Sequence, residues 1–176
     1  MIDTDTRQLK RSHNGEYRSG GGKKPCDHCG LTLDCPLKPL DTCELFMPAL
    51  PFNDETGLDK IANTVRIGVA WTNRLSVGQV IALYNVRQKT IFGHARVVGM
   101  ARGMMMPMLK AHAQANHLML TTPADQAADK LFAWLRQNYG PRIVNADAKL
   151  TAIYMLRLYE APATPDFTRY ADGQAA

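Results

Sequence analysis

The spacing of apolar residues changes twice along this chain, and each change marks a different kind of element. In Asn63-Thr64-Val65-Arg66-Ile67-Gly68-Val69 they fall at every second position, as in a strand with one buried face. Val80–Asn85 and Thr90–Met100 are two more β-rich runs; the polar turn Val86–Lys89 between them makes a twisted hairpin beside the first strand. The period then lengthens. A helix opens at Pro123-Ala124-Asp125-Gln126, shows an apolar face of Ala127, Ala128, Leu131, Phe132, Trp134 and Leu135, and stops at Tyr139-Gly140-Pro141. An earlier helix is expected over Pro107–His117, with the proline in its first turn. Leu150–Tyr159 returns to a long strand. Strands, two helices and a closing strand give an α+β chain, an order that can close into a small mixed β-barrel with helices plugging its ends.

The 176 residues allow one such domain and a small module beside it. Residues 1–24 are polar and end on Arg18-Ser19-Gly20-Gly21-Gly22-Lys23-Lys24, which reads as a disordered basic leader. Residues 25–48 carry all the cysteines. Pro48–Gly57 reads as a connector rich in proline and turn residues, residues 58–160 as the barrel, and residues 161–176 as a flexible tail. The apolar run Ala152–Leu156 is far short of the ~20 residues a membrane helix needs, and Met1–Arg18 lacks a signal-peptide core. The expectation is a cytoplasmic protein without a membrane partner.

The cysteines are Cys26, Cys29, Cys35 and Cys43, confined to 18 residues. Such confinement suits metal ligation in a reducing compartment better than a disulfide framework. Cys26-Asp27-His28-Cys29 followed by Gly30 is a knuckle, and Cys35 with Cys43 would complete a tetrahedron of thiolates, for which zinc is the simplest ion. A [4Fe–4S] cluster is the alternative, and two disulfides or unrelated thiols remain open. A segment with so few large apolar side chains needs the metal for its folding free energy. His28 reads as a solvent-facing turn residue. The module would offer a second nucleic-acid contact or a docking surface for a protein partner.

Charge is distributed unevenly. From Lys60 to Ala124, 65 residues contain no Asp or Glu, where the chain average would place about six; the same stretch holds eight Lys/Arg and three of the five histidines. Residues 1–50 carry seven basic and seven acidic residues, so the whole net charge of +5 lies beyond them. An ordinary solvated cationic face is one reading. The other is a surface for a polyanion, with RNA or single-stranded nucleic acid first among candidates. On that reading the contact residues are Asn63, Thr64, Arg66, Trp71 and Arg74, with Arg87, Lys89, Arg96 and Arg102 extending the cationic groove. Trp71 and Tyr84 are candidates for stacking a base, and Met104-Met105-Met106-Pro107-Met108 for core filler or a pliable lip.

Asn63-Thr64-Val65-Arg66-Ile67-Gly68 resembles the Lys/Asn-Thr-x-Arg-x-Gly opening of the ASCH family, within the PUA-like superfamily of small β-barrels. Ser76-Val77-Gly78-Gln79-Val80-Ile81-Ala82-Leu83 is similar to its Gly-Asp-x-Ile strand, and Phe92-Gly93-His94-Ala95-Arg96-Val97-Val98 to the strand after it. The likeness covers about residues 58–160 and leaves out the cysteines. It implies a PUA-like barrel with a pocket for RNA or a modified nucleoside. Some members are amidohydrolases acting on acetylated cytidine through a Lys, a Thr and a Glu. Thr64 matches the threonine, Asn63 stands where the lysine would fall, and the acid-free stretch has no counterpart to the glutamate. General acid/base work there would fall to His94, His112 or His117. Binding is therefore expected ahead of catalysis, with a nucleoside amidohydrolase or a protein-interaction adaptor as the alternatives.

Overall fold

The computed structural model describes residues 9–11, 17–19, 42–43, 47–59, 61–160 and 162. Three short strands, β1 (Leu9–Arg11), β2 (Tyr17–Ser19) and β3 (Thr42–Cys43), pair antiparallel in that order. A second sheet has five strands: β4 (Ala49–Phe52), β5 (Ile61–Ile67), β6 (Val80–Asn85), β7 (Thr90–Met104) and β8 (Lys149–Leu158), in the order β4-β6-β7-β8-β5. Two helices, α1 (Met105–His112) and α2 (Ala124–Tyr139), lie between β7 and β8 in the chain. The fold is thus small and mixed α+β. The order of the larger sheet has two ends, β4 and β5, so among the described residues it is an open sheet.

Most elements lie where the periodicity puts them. Three differ. Ala49–Phe52, read as connector, is a strand running parallel to β6, with Leu50 opposite Leu83 and Phe52 opposite Asn85. Two prolines flank or enter it and argue against a strand, yet an edge position tolerates them because one side of the strand needs no N–H donors. Helix α1 begins two residues before Pro107 and ends at His112, after which Ala113–Ala115 tightens into a 3-10 turn. Pro107 sits in the first helical turn, where backbone N–H groups have no partner inside the helix. Strand β7 runs four residues further than its β-rich sequence, to Met104.

The described chain forms two compact units. One takes in Val80–Ala95 with the described residues up to Asp54 and from Leu158 onward. In it the edge-to-face rings of Phe52 and Phe92 lie 6.1 Å apart. The other is Glu55–Gln79 with Arg96–Arg157. Its core joins Leu131 and Leu135 of α2 to Met105, Met108 and Leu109 of α1 and to Val65, Leu150 and Ala152 of the sheet. Met105 and Met108 fill that core, which settles their role as packing, while Met104 is exposed. Ala127, Leu131 and Leu135 are spaced four apart and form the buried stripe of α2. No helix of the described residues is long and apolar enough to cross a membrane.

Candidate functional site

Strand β5 has two differently used faces. Val65 and Ile67 pack toward the helices. Thr64 and Arg66 therefore point the other way, together with Ile153 and Thr151, which stand directly opposite them on β8. The same alternation sorts β7. A Cβ on Gly99 would lie 3.7 Å from Cβ of Tyr154, a residue of the helix side, so Gly99, Ala101 and Gly103 face the helices. Arg96, Val98, Arg102 and Met104 consequently face away, and all four are exposed. Arg66, Arg96 and Arg102 thus occupy one face of the sheet.

The chain leaving β5 adds to that face. Gly68 has φ +85, a left-handed conformation that costs glycine little. It is fixed to β8 on both sides: its N–H donates to the Lys149 carbonyl at 2.7 Å, and Thr151 Oγ1 donates to its carbonyl at 2.8 Å. A 3-10 turn, Ala70–Asn73, follows and delivers Trp71. The ring centroid of Trp71 is 5.9 Å from Arg66 Cζ and 5.3 Å from Arg74 Cζ, within cation–π reach of both. Thr72 Oγ1 donates to the Val69 carbonyl at 2.8 Å and accepts from Arg102 Nη1 at 3.4 Å. Four of the nine expected contact residues, Arg66, Trp71, Arg74 and Arg102, come together in this way, all within the unit that holds α1 and α2.

Burial is part of the arrangement. Trp71 is 8% exposed and Arg74 7%. Arg66 keeps some exposure along its length, but its Nε does not touch solvent. Withdrawal from water pushes the guanidinium down from its ordinary value to about 10, against a smaller opposing electrostatic effect of Tyr139. At neutral pH Arg66 is still a full cation. Its enclosure means that any anion reaching it meets little screening. Trp71 and Tyr84 are both buried, so in this state neither offers a free ring to a base.

The remaining expected residues make no contact with this cluster among those described. Arg96 donates through Nη1 to the Gly78 carbonyl at 2.9 Å and stays exposed. Arg87 and Lys89 belong to the other unit, on the β6–β7 turn, which is shaped by Asn85 accepting the N–H groups of Arg87 and Gln88 at 3.1 Å. Thr64 is buried. Asn63 is 0% exposed, and its amide is used at both ends: Nδ2 donates to the His112 carbonyl at 2.8 Å, and Oδ1 accepts from Asn116 Nδ2 at 3.3 Å. His112 Nδ1 shares a 2.8 Å hydrogen bond with the Tyr154 hydroxyl, and His117 Nδ1 donates to the Thr56 carbonyl at 2.8 Å. The sequence reading missed Thr72 and Tyr139. A hydroxyl beside a tryptophan and a tyrosine closing a helix carry no distinguishing pattern, and only the fold sets them near arginines.

Cys26, Cys29 and Cys35 lie outside the described residues, and Cys43 is described only by its backbone pairing in β3, so the metal expectation falls outside them too. Among the described residues no group of three or more His, Cys, Asp or Glu could hold a metal ion.

No protein-family model matches this chain, and no curated protein matches it. Among solved structures it is similar to the crystal structure of protein EF3133 from Enterococcus faecalis V583, described under the family DUF984, with 13% identity, a TM-score of 0.47, and coverage of 65% of this chain and 78% of that one.

Proposed function

We propose that the chain binds RNA or another single-stranded nucleic acid on the sheet face that carries Arg66, Arg96 and Arg102, with Arg74 and Trp71 closing over it. The observation that carries this reading is the gathering of Arg66, Arg74 and Arg102 around Trp71 and Thr72, from a stretch of 65 residues without a carboxylate. Guanidinium groups in a partly desolvated setting are suited to phosphate because their paired donors match its oxygens. On this reading the open mixed sheet is the frame of a PUA-like barrel, the cysteine segment is a zinc-stabilised accessory module, and the protein works in the cytoplasm.

Binding of fluorescently labelled oligouridine across a salt series tests it. The log–log slope should be near −0.7 for each phosphate neutralised, and Arg66→Met with Arg102→Ala should flatten it. A slope of zero would leave the cations as a solvated face and move the reading to the protein adaptor. Conversion of acetylated cytidine, abolished by Thr64→Val, would instead favour the nucleoside hydrolase.

A further inference from the structure

From Arg96 to Met104, strand β7 carries cations and aliphatic side chains in one row on the face turned from the helices: Arg96, Val98, Met100, Arg102, Met104. Both arginines are exposed, Val98 is 43% and Met104 40% exposed, and Met100 is half-buried. A single aliphatic residue in water is ordinary, but a row of them between two guanidiniums is a surface with a direction. The arginines are held at its two ends. Arg96 Nη1 donates to the Gly78 carbonyl at 2.9 Å, on a turn that is itself pinned to β7 by Gly78 N–H to the Val97 carbonyl at 2.7 Å. Arg102 Nη1 donates to Thr72 Oγ1 at 3.4 Å, so that end of the row meets the turn that carries Trp71. Each bond uses one of the five N–H donors of a guanidinium and leaves the others for a ligand. Among the described residues neither arginine is paired with a carboxylate.

Spacing and charge together select the occupant. The step from Arg96 to Arg102 is about 20 Å of strand at ~3.3 Å per residue. A single strand drawn out to roughly twice the ~3.4 Å phosphate spacing of a stacked strand covers that distance in about three steps. We infer that this stretch of β7 is a linear track for an extended single strand of nucleic acid: Arg96 and Arg102 each take a phosphate, about three nucleotides apart, and the unstacked bases between them lie over Val98 and Met100. The guanidinium fork matches the phosphate oxygens, and the unbranched Met100 adapts to whichever base lies against it. Neither aliphatic side chain offers a donor or acceptor to a base edge, so the track reads length and extension, not sequence. A free nucleoside, having no second phosphate, gains nothing from the second arginine.

The track rests on the nucleic-acid reading, and the test lets the two fail separately. Fluorescence anisotropy is measured with a uridine trimer, too short to reach both arginines, and a hexamer, long enough to span them. The hexamer should bind about tenfold tighter, because its second phosphate contact is made within the same complex. Arg102→Gln should bring the hexamer down to the affinity of the trimer and flatten its salt slope by about 0.7, one contact. The same change should cost the trimer only about twofold, since Arg96 still serves it. Arg96→Gln should behave alike. Both positions are exposed, and glutamine keeps an N–H donor for the Gly78 carbonyl or Thr72 Oγ1, so neither variant threatens the fold. Arg142→Gln, an exposed cation in the loop after α2, should leave both affinities unchanged. Equal affinity for trimer and hexamer, or an Arg142→Gln loss as large as that of Arg102→Gln, overturns the track while the nucleic-acid reading stands. Failure of both oligomers to bind overturns both. Hexaglutamate displacing the hexamer at equal concentration overturns the nucleotide occupant and assigns the row to an acidic peptide.

Discussion

Asn63 and Arg66 leave strand β5 on opposite faces, and both are drawn out of water, but their surroundings handle them differently. Around Asn63 every contact is neutral and matched: amide to carbonyl, amide to amide, and the Asn63 carbonyl to the His117 N–H at 2.9 Å. Asn116 repeats the arrangement, its Oδ1 accepting the Leu118 N–H at 3.0 Å. Around Arg66 a full charge is set against an aromatic ring and a second cation, and burial has pushed its proton affinity down to about 10. A matched amide network lowers the energy of one backbone arrangement and so fixes structure. An enclosed cation contributes little to stability but interacts strongly with an incoming anion.

Four measurements break or sharpen this contrast. The largest effect should come from Gly57→Ala. Gly57 has φ +67, and a Cβ there would overlap the carbonyl of His117, on the segment tied to Asn63. A loss of about 4 kcal/mol is expected from steric conflict and backbone strain together, measured by urea unfolding. Asn63→Ala should follow at about 3 kcal/mol, because it strands the His112 carbonyl and the Asn116 amide in the interior. Neither change should alter affinity per folded molecule, and a selective loss of oligouridine binding in Asn63→Ala would place Asn63 in the site after all.

Arg66→Met should reverse the pattern. Stability should move by less than about 1 kcal/mol, since the lost cation–π contact is offset by the relieved desolvation, while affinity for oligouridine falls about tenfold. The pH dependence has a definite sign. Below pH 10 Arg66 is protonated in both folded and unfolded chains, so the cost of enclosing it is fully present; that cost is relieved only as pH rises through 10 toward the ordinary guanidinium range. The Arg66 contribution to binding, taken as the difference between wild type and Arg66→Met, should therefore stay flat from about pH 6 to 8.5. The smallest effect belongs to Arg87→Ala with Lys89→Ala, cations of the other unit, which should weaken binding less than about threefold and reduce the salt slope by at most one or two contacts. A loss equal to that of Arg66→Met would mean that charge alone, without the Trp71 assembly, governs binding.

Much of this was legible in the chain. The two-residue period of Asn63–Ile67, the β-rich runs Val80–Asn85 and Leu150–Leu158 and the longer period of Ala124–Tyr139 define their elements, because burial on one face demands a spacing and burial on both demands a short apolar run. Arg66, Trp71 and Arg74 were legible as candidates from composition and proximity. Ala49–Phe52 was not legible as a strand: its prolines mark a connector, and the pairing with β6 that makes it a strand lies some thirty residues away. The role of Asn63 was equally hidden, since its partners His112 and Asn116 are 49 and 53 residues distant.

Local patterning, then, determined which segments are strands and helices and where the cations concentrate, because both follow from side chains within a few positions of one another. Which cations share a surface was decided by the tertiary structure alone. Arg102 reaches Thr72 across 30 residues, and Arg66 meets Arg74 through a ring delivered by the turn at Gly68. Sheet order and the direction of one glycine place them there. Desolvation, too, is a property of the folded assembly: the same guanidinium that is ordinary in the unfolded chain becomes an enclosed charge only in the fold, with the Trp71 ring beside it.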